Sequence, residues 1–147
     1  MFDLRAASDK DMPSVRALLE GNGLPISDLF ISNPEFVVAC EGARIVGAGA
    51  LETFGSAALL RSVVVSEELR GSGLGRTLVR ELERIANAAG VRELVLLTQT
   101  AKHFFKHQGY GVIDRGEAPQ AIRGSEEFCR LCPASATCMA KTLIEGT

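Results

Sequence analysis

Apolar positions recur along this chain in two periods, and their alternation predicts an α/β protein. Residues 2–5 (FDLR) alternate and predict a short first strand. A polar step at Ser8-Asp9 then precedes MPSVRALLE, where Val15, Leu18 and Leu19 fall at helical spacing. Ser8 or Asp9 is suited to cap that helix, and the GNG at 21–23 to stop it. Residues 24–34 predict a short helix and loop. Residues 36–40 and 44–54 are apolar runs on either side of a turn at 41–43, the pattern of a hairpin. Glycine and alanine in the second run imply close backbone approach or a bulge. AALLRSVVV (57–65) is a further strand, apolar on both faces at its end and therefore central.

The longest helical period covers residues 74–89. Leu74, Leu78, Leu82, Ile85 and Ala89 form one stripe, widened by Val79, and Gly90 is a natural stop. VRELVLLT (91–98) predicts a buried strand. TAKHFFKHQ (100–108) predicts a short helix ended by Gly109, and YGVID (110–114) a strand. Two strand–helix–strand units thus follow in series. Residues 117–133 predict loop or short helix, and TCMAKTLIE (137–145) a final edge strand. No repeat or linker interrupts the pattern, so one domain over 1–147 is expected.

Composition narrows the function. The chain has 147 residues, 46% hydrophobic and 23% charged, with a net charge of −2. That balance gives no basis for binding nucleic acid or an anionic membrane. No apolar run has the length of a membrane span. Residues 1–12 lack the apolar centre of a secretory leader, so a cytoplasmic location is expected. In that compartment Cys40, Cys129, Cys132 and Cys138 would be thiols.

The chemistry concentrates where VVVSEELRGSGLGR leads into the long helix. A helix start leaves amides without intrahelical acceptors and carries partial positive charge. Gly71, Gly73 and Gly75 let that backbone approach a bulky anion, and Arg70 and Arg76 add full charge. The pattern suits a diphosphate. A Walker loop is excluded, because Lys-Ser/Thr does not follow the glycines. The alternative is a glycine-rich turn with no ligand.

Arg70-Gly71-Ser72-Gly73-Leu74-Gly75 resembles the acetyl-CoA motif of the GNAT superfamily of N-acetyltransferases. So do VVVSEELRG before it, ELVLLTQTAKHFFKHQGY after it, and the order of elements throughout. LLTQTAKHFFKHQGY is similar to a stretch of N-acetylglutamate synthase acetyltransferase domains. AIRGSEEFCRLCPASATCMAKTL is similar to the ends of small acetyltransferases associated with arsenic-resistance operons, which act on amino acids or their analogues.

The resemblance implies a mixed, twisted sheet flanked by helices and splayed between its fourth and fifth strands. It implies acetyl-CoA as cosubstrate, with the main chain of Val63 and Val65 beside pantetheine. The amides from Gly71 through Ser72, Gly73, Leu74 and Gly75 to Arg76 would hold the diphosphate. Thr98, Phe104 and Phe105 would line the rest. Many members carry a tyrosine, the proton donor to the departing thiolate, where this chain has Phe105. Water, Tyr110, a cysteine thiol or no group at all would then take that part. Thr100 stands where the synthase pattern has arginine, which puts glutamate itself in doubt as substrate.

An attacking α-amine must first lose a proton, and at a pKa of about 8 a modest base suffices. Glu52, at the end of the third strand, is the candidate, directly or through water; the alternative is a solvated hairpin carboxylate. The amide of Val64 or Val65 would face the developing oxyanion. Arg61, expected in register with Val63 and Val65 by alternation, would bind an acceptor carboxylate or else pair internally with Glu52. Arg123 is a weaker candidate for the same task. Cys129-x-x-Cys132 with Cys138 falls short of a zinc set, and Cys40 is expected in the core. His103 and His107 share a helix face as surface residues.

These readings point to a small-molecule amine as partner, an amino acid or analogue, with a homodimer expected at family level only. Other readings are acetylation of a protein N-terminus or lysine, a non-catalytic acyl-CoA sensor, and a thiol-based metalloid binder.

Overall fold

In the computed structural model, which describes residues 2–24, 34–125 and 136–143, the strand-like runs become β1 (Asp3–Ala6), β2 (Glu35–Glu41), β3 (Arg44–Phe54), β4 (Ala57–Val65), β5 (Glu93–Thr98), β6 (Gly111–Val112) and β7 (Thr137–Thr142). The helical runs become α1 (Met12–Gly21), α2 (Leu74–Ala88), α3 (Lys102–His107) and α4 (Gln120–Arg123). The strands form one sheet in the order β1-β2-β3-β4-β5-β7-β6. β4 is central, as its apolar character predicts, and its pairing with β5 is parallel. Residues 25–33, where the short helix is expected, and 126–133 of the tail lie outside the described residues.

Two expectations about the far side of the sheet are corrected. β7 is not an edge strand: it lies antiparallel between β5 and β6. The strand expected at 110–114 shrinks to two residues at the edge, Gly111 and Val112. The second strand–helix–strand unit therefore spans an intervening strand. Local periodicity cannot report this order, because long-range pairing decides it.

Helix α2 covers one face of the sheet. Leu74, Leu78, Val79 and Leu82 are buried there with Val37, Val46, Leu60, Leu94 and Leu96. Each enclosed leucine contributes about 2 kcal/mol. The stripe departs from expectation at its end: Ala86 is buried, while Ala89 is exposed beyond the helix. The close approach implied by the glycines of β3 is present. A Cβ on Gly49 would stand 2.6 Å from Leu82 Cδ1, so a larger residue there would force the buried Leu82 side chain or the helix to shift. On the opposite face α1 packs Val15 and Leu19 against Phe36, Val38, Ala48, Ala50 and Val64.

The feature that positions the site is a bulge in β4. Ala50 pairs with Arg61 and Ala48 with Val64, so Gly49 alone faces Ser62 and Val63. Ser62 takes a left-handed backbone, φ 58°. One extra residue reverses the alternation of side chains. Arg61 is therefore not in register with Val63 and Val65. It shares a face with Val64, towards α1, whereas Val63 and Val65 pack on the α2 side. Pairing of β4 with β5 ends at Leu59–Val95, although both strands continue. Beyond that point they diverge and leave a notch.

Candidate active site

The turn before α2 has the backbone expected of an anion cradle. Gly71 and Gly73 adopt φ of 84° and 91°, conformations that other residues reach only with strain. A Cβ at either would meet nothing within 4 Å, so the requirement is the backbone angle and the space beyond is open. The cradle is narrower than the full 70–76 run. The Arg70 amide donates to Glu67 O at 3.3 Å and the Ser72 amide to Leu69 O at 3.1 Å. The Leu74 amide donates to Ser72 Oγ at 3.4 Å, while the Leu74 side chain is core. Among the described residues, the amides of Gly71, Gly73, Gly75 and Arg76 have no protein acceptor; the next, Thr77, bonds back to Gly73 O at 3.1 Å. These four amides, with Arg76 exposed beside them, fit a diphosphate. Arg70 bonds the side chain of Asn22 and so links the cradle to the end of α1.

Two clefts meet at the divergence of β4 and β5. One, of about 430 Å³, lies by the cradle; Val63, Val65, Gly73, Arg76 and Phe104 line it. Phe104 closes against the helix start, 3.3 Å from where a Cβ on Gly75 would be. The other, of about 690 Å³, opens beside the end of α1, and Asn22, Arg61, Ser62, Thr98 and Thr100 are among its walls. The clefts share Val63, Val64, Val65, Arg70, Ala101 and Phe105. A long ligand in the first thus ends where a second ligand can enter from the other side.

Arg61 is among the residues around the larger cleft, but its side chain is fully enclosed behind the wall, with Nη1 3.3 Å from Glu52 Oε1. The internal ion pair is the arrangement formed. Glu52 lines neither cleft, and its Oε1 meets Arg61. Thr98 lines the larger cleft, but its Oγ1 accepts from the Ala101 amide at 3.0 Å and starts α3. Phe105 is buried and meets Phe104 and Tyr110 edge to face, at 5.0 and 5.6 Å between ring centres.

Tyr110 is not placed to deliver a proton. It lines neither cleft, and its hydroxyl donates to Glu83 Oε2 at 2.8 Å, beside Lys141. Burial first, then the Glu83 charge and hydrogen bond, hold the phenol well above its ordinary range. Arg123 lies on α4 and lines neither cleft. Cys40 and Cys138 are buried in separate clusters, and burial pushes the Cys138 thiol up. Cys129 and Cys132 lie outside the described residues. His103 and His107 are exposed on α3.

Asn22 and Ser62 are among the wall residues that went unnoticed in the sequence. Asn22 carried only the signal of a helix stop. Ser62 carried none, because serine in a strand does not announce a left-handed angle.

Comparison with known proteins gives consistent matches. Residues 32–112 match the family model described as an acetyltransferase (GNAT) domain. An uncharacterized N-acetyltransferase of Chlorobaculum tepidum is 35% identical over 114 residues, covering 74% of this chain and 71% of that protein. Among solved structures, N-acetylglutamate synthase from Neisseria gonorrhoeae, complexed with coenzyme A and N-acetyl-glutamate, superposes with a TM-score of 0.85 at 21% identity. That match takes in 99% of this chain but 36% of the synthase, so the chain spans about a third of that enzyme's length. A Mycobacterium tuberculosis protein crystallised with CoA gives a TM-score of 0.82 at 22% identity, over 97% of this chain and 99% of that one.

Proposed function

The chain belongs to the GNAT acetyltransferase family, and on that premise we propose that it moves an acetyl group from acetyl-CoA to the α-amine of an amino acid or amino-acid analogue. The observation that carries the choice of acceptor is Arg61. A guanidinium enclosed just behind the wall of the acceptor-side cleft suits a carboxylate that displaces its cover, since it can grip one through two parallel hydrogen bonds. A role in disposing of toxic or arsenic-bearing amino-acid analogues is consistent with such an acceptor.

The parts divide the work. The amides of Gly71, Gly73, Gly75 and Arg76 hold the diphosphate of acetyl-CoA, and Val63, Val65 and Phe104 line the path of its arm. Acetyl-CoA supplies an activated acyl group and a thiolate stable enough to depart without a strong acid. That property fits a site with Phe105 in the usual place of a tyrosine, and with Tyr110 turned to Glu83. The Val64 amide, at the bulge where both clefts meet, is the donor proposed for the developing oxyanion. Arg61 orients the acceptor so that its amine points at the shared wall, and Glu52 holds Arg61. Any base role for Glu52 runs through water, since it does not reach the cleft directly. An α-amine with a pKa of about 8 is partly neutral near pH 7.5 and asks little of such a base.

The test is thiol release from acetyl-CoA with the twenty protein amino acids and arsenic-bearing analogues, beside calorimetric titration with acetyl-CoA. Turnover that requires an α-amino acid supports the proposal. Tight acetyl-CoA binding with no acceptor-dependent release would make the protein a sensor instead.

A further inference from the structure

We propose that Ser62 is a second contact for the acceptor's carboxylate, donating a hydrogen bond from Oγ beside the Arg61 guanidinium. The inference rests on the reading of the acceptor as an α-amino acid and deepens it.

Three observations meet at this residue. Ser62 is 6% exposed, and its Oγ has no hydrogen-bond partner among the described residues. A buried hydroxyl left unsatisfied is a standing cost that a ligand can relieve. Its backbone is left-handed, and among the described residues it is the one such residue that is not glycine. Glycine would take the same angle without strain, so the side chain is kept against the local preference. Finally, Ser62 lines the acceptor-side cleft together with Arg61, its immediate neighbour. Consecutive residues of a regular strand face opposite sides of the sheet. Here one wall of the cleft is formed by residues 60–65, a run that includes both residues and the bulge.

The chemistry is complementary. A carboxylate has two oxygens and about four lone-pair positions, more than one guanidinium edge uses. A hydroxyl beside that edge adds a donor without adding charge. It also distinguishes a carboxylate from a bare alkyl group at the same place. The pair therefore selects α-amino acids over the corresponding decarboxylated amines.

Ser62→Gly is the decisive variant, because glycine accepts the bulge angle while removing the hydroxyl. Thermal melting should show the fold intact. Thiol release is then measured for each accepted amino acid and for its decarboxylated amine. The expected result is a fall in kcat/KM of about ten- to a hundred-fold for the amino acid. The amine and the KM for acetyl-CoA should change little. The preference of the wild type for the amino acid then collapses by that factor, and Ser62→Ala should reproduce the collapse. If the wild type prefers amino acids and Ser62→Gly retains the full preference, the Ser62 assignment falls and the acceptor reading stands. If the wild type shows no preference for an amino acid over its amine, both fall.

Discussion

Arg61 and Glu52 face one another across β4 and β3, Nη1 to Oε1 at 3.3 Å, with the arginine side chain wholly enclosed and the glutamate nearly so. Removing one member of such a pair leaves the other charged in a poor solvent, at a cost of about 3 kcal/mol. Glu52→Gln should lose stability on that scale in urea unfolding. It should also raise the acceptor KM more than it lowers kcat, because Arg61 loses one of its anchors. A flattened acid limb in the pH profile of kcat/KM would give Glu52 a share in proton removal as well.

The cradle is tested at Gly73, where φ is 91°. Any side chain there costs about 1 kcal/mol in backbone strain. Gly73→Ala should show that cost in a melt and a modest loss of acetyl-CoA affinity. Gly73→Glu adds bulk and negative charge at the amides, so calorimetry should show affinity reduced at least a hundred-fold. Equal affinities for the two variants would separate the turn from phosphate binding.

Acid sensitivity follows from Asp11. The Arg5 hydrogen bonds, at 2.7 and 3.0 Å, and then the Ser8 amide hold its carboxyl well below its ordinary 3.8. A carboxylate lowered in the folded state stabilises above its unfolded pKa and loses that contribution as pH falls towards the folded one. Melting temperatures of the wild type and Asp11→Asn should therefore differ most near neutrality. The gap should close progressively below about pH 4. A gap that is constant from pH 7 to pH 2 would contradict this assignment.

Tyr110→Phe removes the hydroxyl that meets Glu83. A hydrogen bond to a charged group contributes about 2 kcal/mol, so stability should fall by that order. The alkaline limb of kcat against pH should not move, because the phenol faces away from both clefts. Loss of that limb would restore Tyr110 as a proton donor.

The parts legible in the sequence were those with local causes. The α2 stripe follows from spacing, and the glycine turn before it from what glycine alone permits. The hairpin of β2 and β3 followed from two apolar runs on either side of a short turn. What escaped was non-local. The position of β7 depends on partners far along the chain. The β4 bulge turns on one serine at an angle that serine rarely takes, and that single residue moved Arg61 to the opposite face from Val63 and Val65. The Arg61–Glu52 pair was foreseen as one of two arrangements, since alternation alone does not settle whether a buried arginine looks inward or outward.

The placement of β7 carries a consequence for biosynthesis. Residues 137–142 fill a gap between strands made earlier, so the β5 edge stays bare until they leave the ribosome. A nascent chain halted before them should hold β1 to β5 and α2 but expose Leu94 to Thr98 as an open edge. That stalled species is the one for chaperones to capture, and premature stop codons upstream of Thr137 should yield aggregates rather than a shortened enzyme.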